Sequence, residues 1–428
     1  MKKKLVFLFL SILSLNVWSE VNLRPPHLGP WGLRFNHLHT YRVEKSLNKK
    51  LNQFSNDTDL KKLQTILDVS KKASEWINLI NTLRSPEDQL DLSNPPGTNS
   101  GGIPYQKPMK SSTTILENKL SDFFTQTPDA LKSILKSNDP LTSQIPIQDE
   151  VLFVKEMRKL DRIYQATIRF IGQLDWLLYY ANREIFDVRG YLFFKEKESS
   201  KLEDYLKNID SLEAKEKEQV LISLLGLCKN GDFDPSDCRS ELQKSLSKNR
   251  LYSFYTRFNR YGESMYQLFF TLKKTRAENY WNEEKTILHA PFFTPESPEV
   301  STWLKQNVEA EWSYLDQKLQ IDFYPKSPLD FPQVIFKTGV TAHVNEVAGN
   351  LITMEAEYPI NSPDQKWTIR HEYGHVLGFE DCYLEFYDSN EKAMVYYEID
   401  VNNIMCSRNG KIQATHFNQI NLKYLTKE

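Results

Sequence analysis

Neither sign of charge dominates this chain, and that balance is the first constraint on its function. It carries 54 Lys and Arg against 56 Asp and Glu. A nucleic-acid or anionic-membrane partner calls for a basic excess that is not there. Long apolar runs are equally scarce. The one continuous stretch, Leu5 to Leu15, follows Met1 and three lysines, and it is shorter than the ~20 residues a spanning helix needs. A basic start, an apolar run and the small flanking residues Val17 and Ser19 form the layout of a secretory signal. The expectation is a signal over 1–19, cleaved after Ser19, with export to the periplasm or exterior and no stable membrane insertion. Cysteine is sparse as well, with four in all. In an exported chain the even set Cys228, Cys238, Cys382 and Cys406 reads as two disulfides. Three pairings are possible, and Cys228–Cys238 with Cys382–Cys406 is the economical one. Nothing in the sequence specifies an oligomeric state.

What the chain does have is apolar material, 40% hydrophobic and 12% aromatic residues, enough for buried cores and too much for global disorder. At 428 residues it is long enough for two or three domains. A helical period runs from about Val43 to Leu83, giving an N-terminal helical segment over 20–91. The Pro-, Gly- and Ser-rich stretch 92–113 reads as a linker or long exposed loop. Phe153, Met157, Leu160, Tyr164, Thr167, Ile171, Leu174 and Leu178 step by fours and threes. So do Leu251, Phe254, Phe258, Tyr261, Met265, Leu268 and Leu272. Such stripes predict long helices packed in a bundle, and 114–284 is read as a helical domain.

From residue 285 the texture changes to short apolar runs and short helices. Strands are expected at Thr286–Phe293, Leu319–Tyr324, Gln333–Lys337 and Leu351–Tyr358, with a helix over Glu299–Leu319. A second helix is expected from Pro363 to Phe379, opened by Ser362 as N-cap, and a last one over His416–Leu425 capped by Thr415. The fold class is α+β, an all-helical N-terminal part followed by a compact unit over 285–428.

Chemistry concentrates in the helix from Pro363. It contains His371, Glu372 and His375, and two histidines four residues apart lie on one helical face, where both imidazoles can bind one metal ion. Glu372 beside them can take a proton from a metal-bound water. Gly378 follows where the helix should end and the chain turn. Asp381 comes ten residues after His371, placed to return as a third ligand. Asn403 to Cys406 reads as a tight turn carrying Met405. His289, His343 and His416 lack spaced partners, and His27, His37 and His39 have ordinary surface or core readings.

The run His-Glu-Tyr-Gly-His-Val-Leu-Gly-Phe-Glu-Asp, with Met405 behind it, resembles the signature of the metzincin metallopeptidases. Asp as third ligand is similar to the snapalysin-type variant, and the continuation to Tyr383 to the immune-inhibitor-A type. The resemblance covers the last third of the chain. It implies a small twisted sheet, an active-site helix, a Met-turn under the metal and a terminal helix. It implies one catalytic Zn²⁺ on His371, His375 and Asp381, with Glu372 as general base, and a protein or peptide as substrate. The strand Leu351–Tyr358 would pair with extended substrate. It leaves one position short: Ser407 stands where some members carry a tyrosine, so Tyr396 or Tyr397 would have to serve, or no residue does. Cys382 and Cys406, beside the third ligand and the methionine, could be bridged to tie the site together.

Rival readings remain at this point. Glu398, with Glu385 and Glu391 behind it, could supply the third ligand instead of Asp381. The protein could be a modified zinc hydrolase or a peptidase-like binder, although an intact Glu372 argues for a working base. The helical region could be a prodomain shielding the cleft, with Asp232 offering its carboxylate to the metal.

Overall fold

The computed structural model describes residues 58–85, 88–90, 102–326, 330–338, 340–356, 359–407 and 409–427. The expected signal over 1–19, with cleavage after Ser19, and His27, His37 and His39, lie outside them. The fold is α+β, with helices dominating the N-terminal half and three small sheets among the described residues.

The first core is helical. It is built by α1 (Thr58–Asn81), α2 (Thr113–Gln126), α3 (Asp129–Lys136), α4 (Glu150–Leu174) and α5 (Leu177–Asn182). The four-three stripe of α4 is buried here from Phe153 to Ile171, with the Trp76 and Phe153 rings edge to face at 5.2 Å. The stripe stops earlier than its period suggests. Asp175 and Trp176 break the helix, and Leu178 points to solvent at 78% exposure.

A second helical core holds α6 (Arg189–Lys195), α7 (Leu202–Lys207), α8 (Ala214–Lys229), α9 (Pro235–Ser247) and α10 (Leu251–Leu268). The Cys228–Cys238 disulfide joins α8 to α9. The two striped helices therefore serve different cores and do not face each other in one bundle. Leu272 lies beyond the end of α10 and packs into the third core.

That third core carries the site. Strands β2 (Tyr280–Trp281), β3 (Ile287–Phe293), β4 (Ser313–Tyr314) and β5 (Gln317–Tyr324) form one sheet in the order β2-β3-β5-β4, with β3 and β5 parallel. Strands β6 (Gln333–Lys337), β7 (His343–Val344) and β8 (Leu351–Glu355) form another in the order β6-β8-β7. A bond from Phe293 N to Pro332 O brings the start of β6 beside the end of β3. The helix expected over Glu299–Leu319 is much shorter. It is α11 (Pro298–Leu304), continued by one π-helical stretch to Glu309. Leu315, at φ 56°, then turns the chain into β5.

Strand β8 is paired on both sides at Ile352 and Thr353, by β6 and by the antiparallel β7. It cannot accept a substrate strand there, which corrects the expectation for Leu351–Tyr358. The outer edge belongs to β7. Helix α12 (Pro363–Val376) lies against this core through Ile369, Tyr373, Val376 and Leu377. Ser362 caps it by accepting from Gln365 N, with Pro363 in the first turn.

After α12 comes a hairpin absent from the expected layout, β9 (Tyr383–Asp388) and β10 (Ala393–Glu398). Its third strand is β1 (Met109–Ser111), from the stretch read as a linker, which pairs antiparallel with β10. The described part of that stretch, 102–113, thus holds a strand and the start of α2. The terminal helix α13 (Ala414–Lys423) is capped by Gln413 in a reciprocal pair with His416, not by Thr415.

Candidate metal centre

Helix α12 presents His371 and His375 from successive turns, their ring centroids 4.9 Å apart and perpendicular. The chain then leaves the helix through a Schellman turn, with Phe379 N donating to Gly374 O and Gly378 N to His375 O, each at 3.0 Å. Gly378 has φ 98°, and a Cβ there would sit 2.0 Å from the Lys274 carbonyl oxygen. Only glycine meets both conditions. This turn sends the chain back past the histidines and delivers Asp381.

Asp381 Oδ1 lies 3.1 Å from His371 Nε2 and 3.2 Å from His375 Nε2. Among the described residues these three side chains are the group that could hold a metal ion, their ligand atoms all within 4.8 Å of one another. The opposite ring nitrogens are engaged elsewhere. His371 Nδ1 lies 3.0 Å from Ile404 O and His375 Nδ1 2.8 Å from Phe379 O. A carbonyl can only accept, so each Nδ1 donates to its carbonyl and each ring turns its Nε2 toward Asp381. Two imidazole nitrogens and a carboxylate oxygen thus converge on one point. With both Nε2 atoms deprotonated, this N,N,O donor set fits a divalent metal with a position left open. Without a metal, protons on Nε2 must bridge to the carboxylate. Burial opposes the charge on Asp381, but His375 and His371 outweigh it and hold the carboxyl well below the usual carboxylate range.

Beneath the histidines, Met405 is buried against α12. A Cβ on Gly374 would lie 2.2 Å from Met405 Sδ and 2.9 Å from Trp312, so the helix needs glycine between its two histidines. The turn carrying Met405 is held by Asn403, whose Oδ1 accepts from Met405 N and from His416 Nε2 at 2.8 and 3.1 Å. Gln413 N donates to His416 Nδ1, which fixes the neutral tautomer. Burial pushes the His416 pKa down to about 4. The Cys382–Cys406 disulfide bridges the residue after Asp381 to the residue after Met405.

Glu372 is buried on α12 at 7% exposure, and its charge is felt by Tyr383. Tyr383 is half-buried on β9 with its hydroxyl hydrogen-bonded to Asp381. Burial first, then the Asp381 charge, raises its pKa well above that of free tyrosine. Of the three neighbouring tyrosines it is this one, not Tyr396 or Tyr397, whose hydroxyl bonds Asp381. Tyr397 is committed 2.9 Å from Asp187 and 3.0 Å from Val188 N. Tyr396 packs against Tyr383 at 5.6 Å, under the Arg169 guanidinium.

The rival ligands are engaged elsewhere. Glu398 accepts from Ile103 N and is bonded to Ser407. Glu385 pairs with Arg169, and Glu391 with Lys110. Asp232 sits in the turn after α8, at φ 58°, outside the metal group. His289 pairs with Asp322 at 2.7 Å and stacks on Tyr280, while His343 is exposed at the β7 edge.

No family model matches the chain, and no curated protein or solved structure matches it either.

Proposed function

We propose that this protein is an exported zinc-dependent endopeptidase, with a metzincin-like catalytic half whose metal is held by His371, His375 and Asp381. The observation that carries the reading is the convergence of two Nε2 atoms and Asp381 Oδ1 while both Nδ1 protons are committed to backbone carbonyls. Zinc bound there would supply Lewis acidity toward a carbonyl oxygen and make water a nucleophile near neutral pH. Glu372, buried on the same helix, takes the proton from the attacking water and hands it to the leaving amine. The Tyr383 hydroxyl, beside Asp381, donates to the oxygen on which negative charge develops. Substrate in extended form would add to the outer edge of β7 at His343–Val344.

Further support comes from element order: strand β3, helix α11, strands β5 to β8, helix α12, the Met405 turn and α13. The β9–β10 hairpin is an insertion between third ligand and turn. Two disulfides suit an oxidising compartment, and among the described residues no helix is long and apolar enough to cross a membrane.

Replacing Glu372 with Gln tests the reading. It should leave stoichiometric zinc in place and lower cleavage of a casein substrate by at least ~100-fold. Cleavage at the wild-type rate, or indifference of the wild type to chelators, would overturn it.

A further inference from the structure

We propose that Arg169, on α4 of the helical half, is a positioning residue for the metal centre, acting through Glu385 and Tyr396 on Tyr383. The inference rests on the role just given to Tyr383 and adds what holds that residue in place.

Glu385 lies two residues beyond Tyr383 on β9, and so on the same face of the hairpin. It is buried at 6% exposure. Arg169 Nε and Nη2 reach its Oε1 at 2.8 and 2.7 Å, and Gln173 donates to the same oxygen. Arg183 adds a bond to the Glu385 backbone carbonyl at 3.2 Å. All three partners come from the helical half. A carboxylate this buried requires its counter-charge, because losing one partner of a buried pair leaves the other desolvated and alone.

The guanidinium does a second thing. It lies 4.8 Å over the Tyr396 ring, within cation–π range. Tyr383 also packs against that ring, at 5.6 Å. Tyr396 is thus flanked by Arg169 and by the phenol that bonds Asp381. Its backbone is fixed too, since Met109 of β1 pairs with Tyr396, which itself stands opposite Glu385. A continuous packed path runs from Arg169 to Tyr396, to Tyr383, to Asp381. A hydroxyl that must meet charge developing on a substrate oxygen is sensitive to displacements well under 1 Å. On this reading the helical half remains part of the working enzyme and completes its site.

The test uses the full chain with Arg169→Met, Tyr383→Phe and the double variant. Arg169→Met should lower kcat by ~10–100-fold, the usual cost of an outer partner, with KM changed by less than about twofold. Zinc stoichiometry should be retained. In the Tyr383→Phe background the same replacement should have almost no further effect on kcat, because no hydroxyl is left to place. The visible spectrum of the cobalt(II)-loaded protein should also shift in Arg169→Met, a readout independent of turnover. If Arg169→Met fails to fold, Arg169→Met with Glu385→Met removes both charges and is judged by the same criteria. Full kcat in these variants, an equal loss in the Tyr383→Phe background, or an unchanged cobalt spectrum overturns the proposal. Should the wild type show no chelator-sensitive cleavage, the peptidase reading fails by itself, and the cobalt spectrum alone decides on Arg169.

Discussion

At the scale of single residues, Asp381 and Glu398 illustrate how the fold gives two buried carboxylates opposite roles. Asp381 faces imidazoles and stays ionised. Glu398 faces the backbone of Ile103 and the Ser407 hydroxyl, and burial raises its pKa to about 7. Zinc content should separate them directly. Asp381→Ala should lose stoichiometric zinc under dilution, whereas Glu398→Ala should keep it. The reverse result would move the third ligand to the glutamate. The two shifted groups also set a stability optimum. Glu398 has a folded pKa above its unfolded value, so its contribution is complete below about pH 4.5 and lost as pH rises through 7. His416 has a folded pKa of about 4, below its unfolded value, so its contribution is complete above about pH 6.5 and lost on acidification towards 4. Urea midpoints should therefore peak between roughly pH 5 and 7. Glu398→Gln keeps an acceptor for Ile103 N and removes the charge. It should gain about 1–3 kcal/mol relative to wild type at pH 8.5 and little at pH 5. A variant whose advantage is the same at both pH values would contradict the assigned titration.

At the scale of elements, the site is assembled by two turns and a hairpin around one helix. The α12 helix was legible in the sequence because its signals are local: Ser362, Pro363, the His371–His375 spacing and Gly378 each act within a turn of the chain. The Met405 turn was legible for the same reason. The β9–β10 hairpin escaped notice although its pattern is present, two apolar and aromatic six-residue runs around Asp388 to Lys392. What the sequence does not display is the third strand. Met109–Ser111 lies some 280 residues before its partner, and its Pro- and Gly-rich surroundings read as linker because pairing across that distance has no local trace. The lengths of α4, α10 and α11 were overestimated for a related reason. Apolar residues continue the helical period past Leu174, Leu268 and Glu309, but those further residues fill other cores or face solvent. Gly378 tests the element-scale account. Gly378→Ala must adopt a positive φ and crowd the Lys274 carbonyl, costing on the order of 1–3 kcal/mol and displacing the chain toward Asp381. Its thermal midpoint should drop and its zinc affinity weaken together. Zinc affinity equal to wild type in a destabilised variant would show that the turn does not set the ligand.

At the scale of the whole molecule, the helical half and the half that holds the candidate metal centre exchange residues across their boundary. Met394 of β10 is buried in the first helical core, and Val188 and Leu192 in the third core, which carries the candidate site. Tyr397, fully buried on β10, gives its hydroxyl to Asp187. Asp187 is itself clamped by Arg189, which also approaches Asp388. Glu385 depends on Arg169, and Ile103 on Glu398. A prodomain that is cut away usually leaves a surface able to meet water. Here removal would expose Met394, Phe386 and Tyr397, strand Glu385 without Arg169 and Gln173, and take from Glu398 its bond to Ile103 N, each a cost of order 1–3 kcal/mol or more. Several such terms together exceed the margin by which most domains are stable. Residues 285–428 expressed alone should therefore bind a hydrophobic dye, melt without a cooperative transition and cleave more slowly than the full chain. The opposing idea, that the helical half only shields the cleft, requires the reverse. It demands a fragment that folds cooperatively, binds zinc and cleaves faster once freed. Calorimetry and a casein assay on the fragment and the full chain, at equal zinc loading, decide between them. A cooperative and faster fragment would make the interlocked boundary a restraint, and the charged anchors across it would then be the contacts that activation has to break.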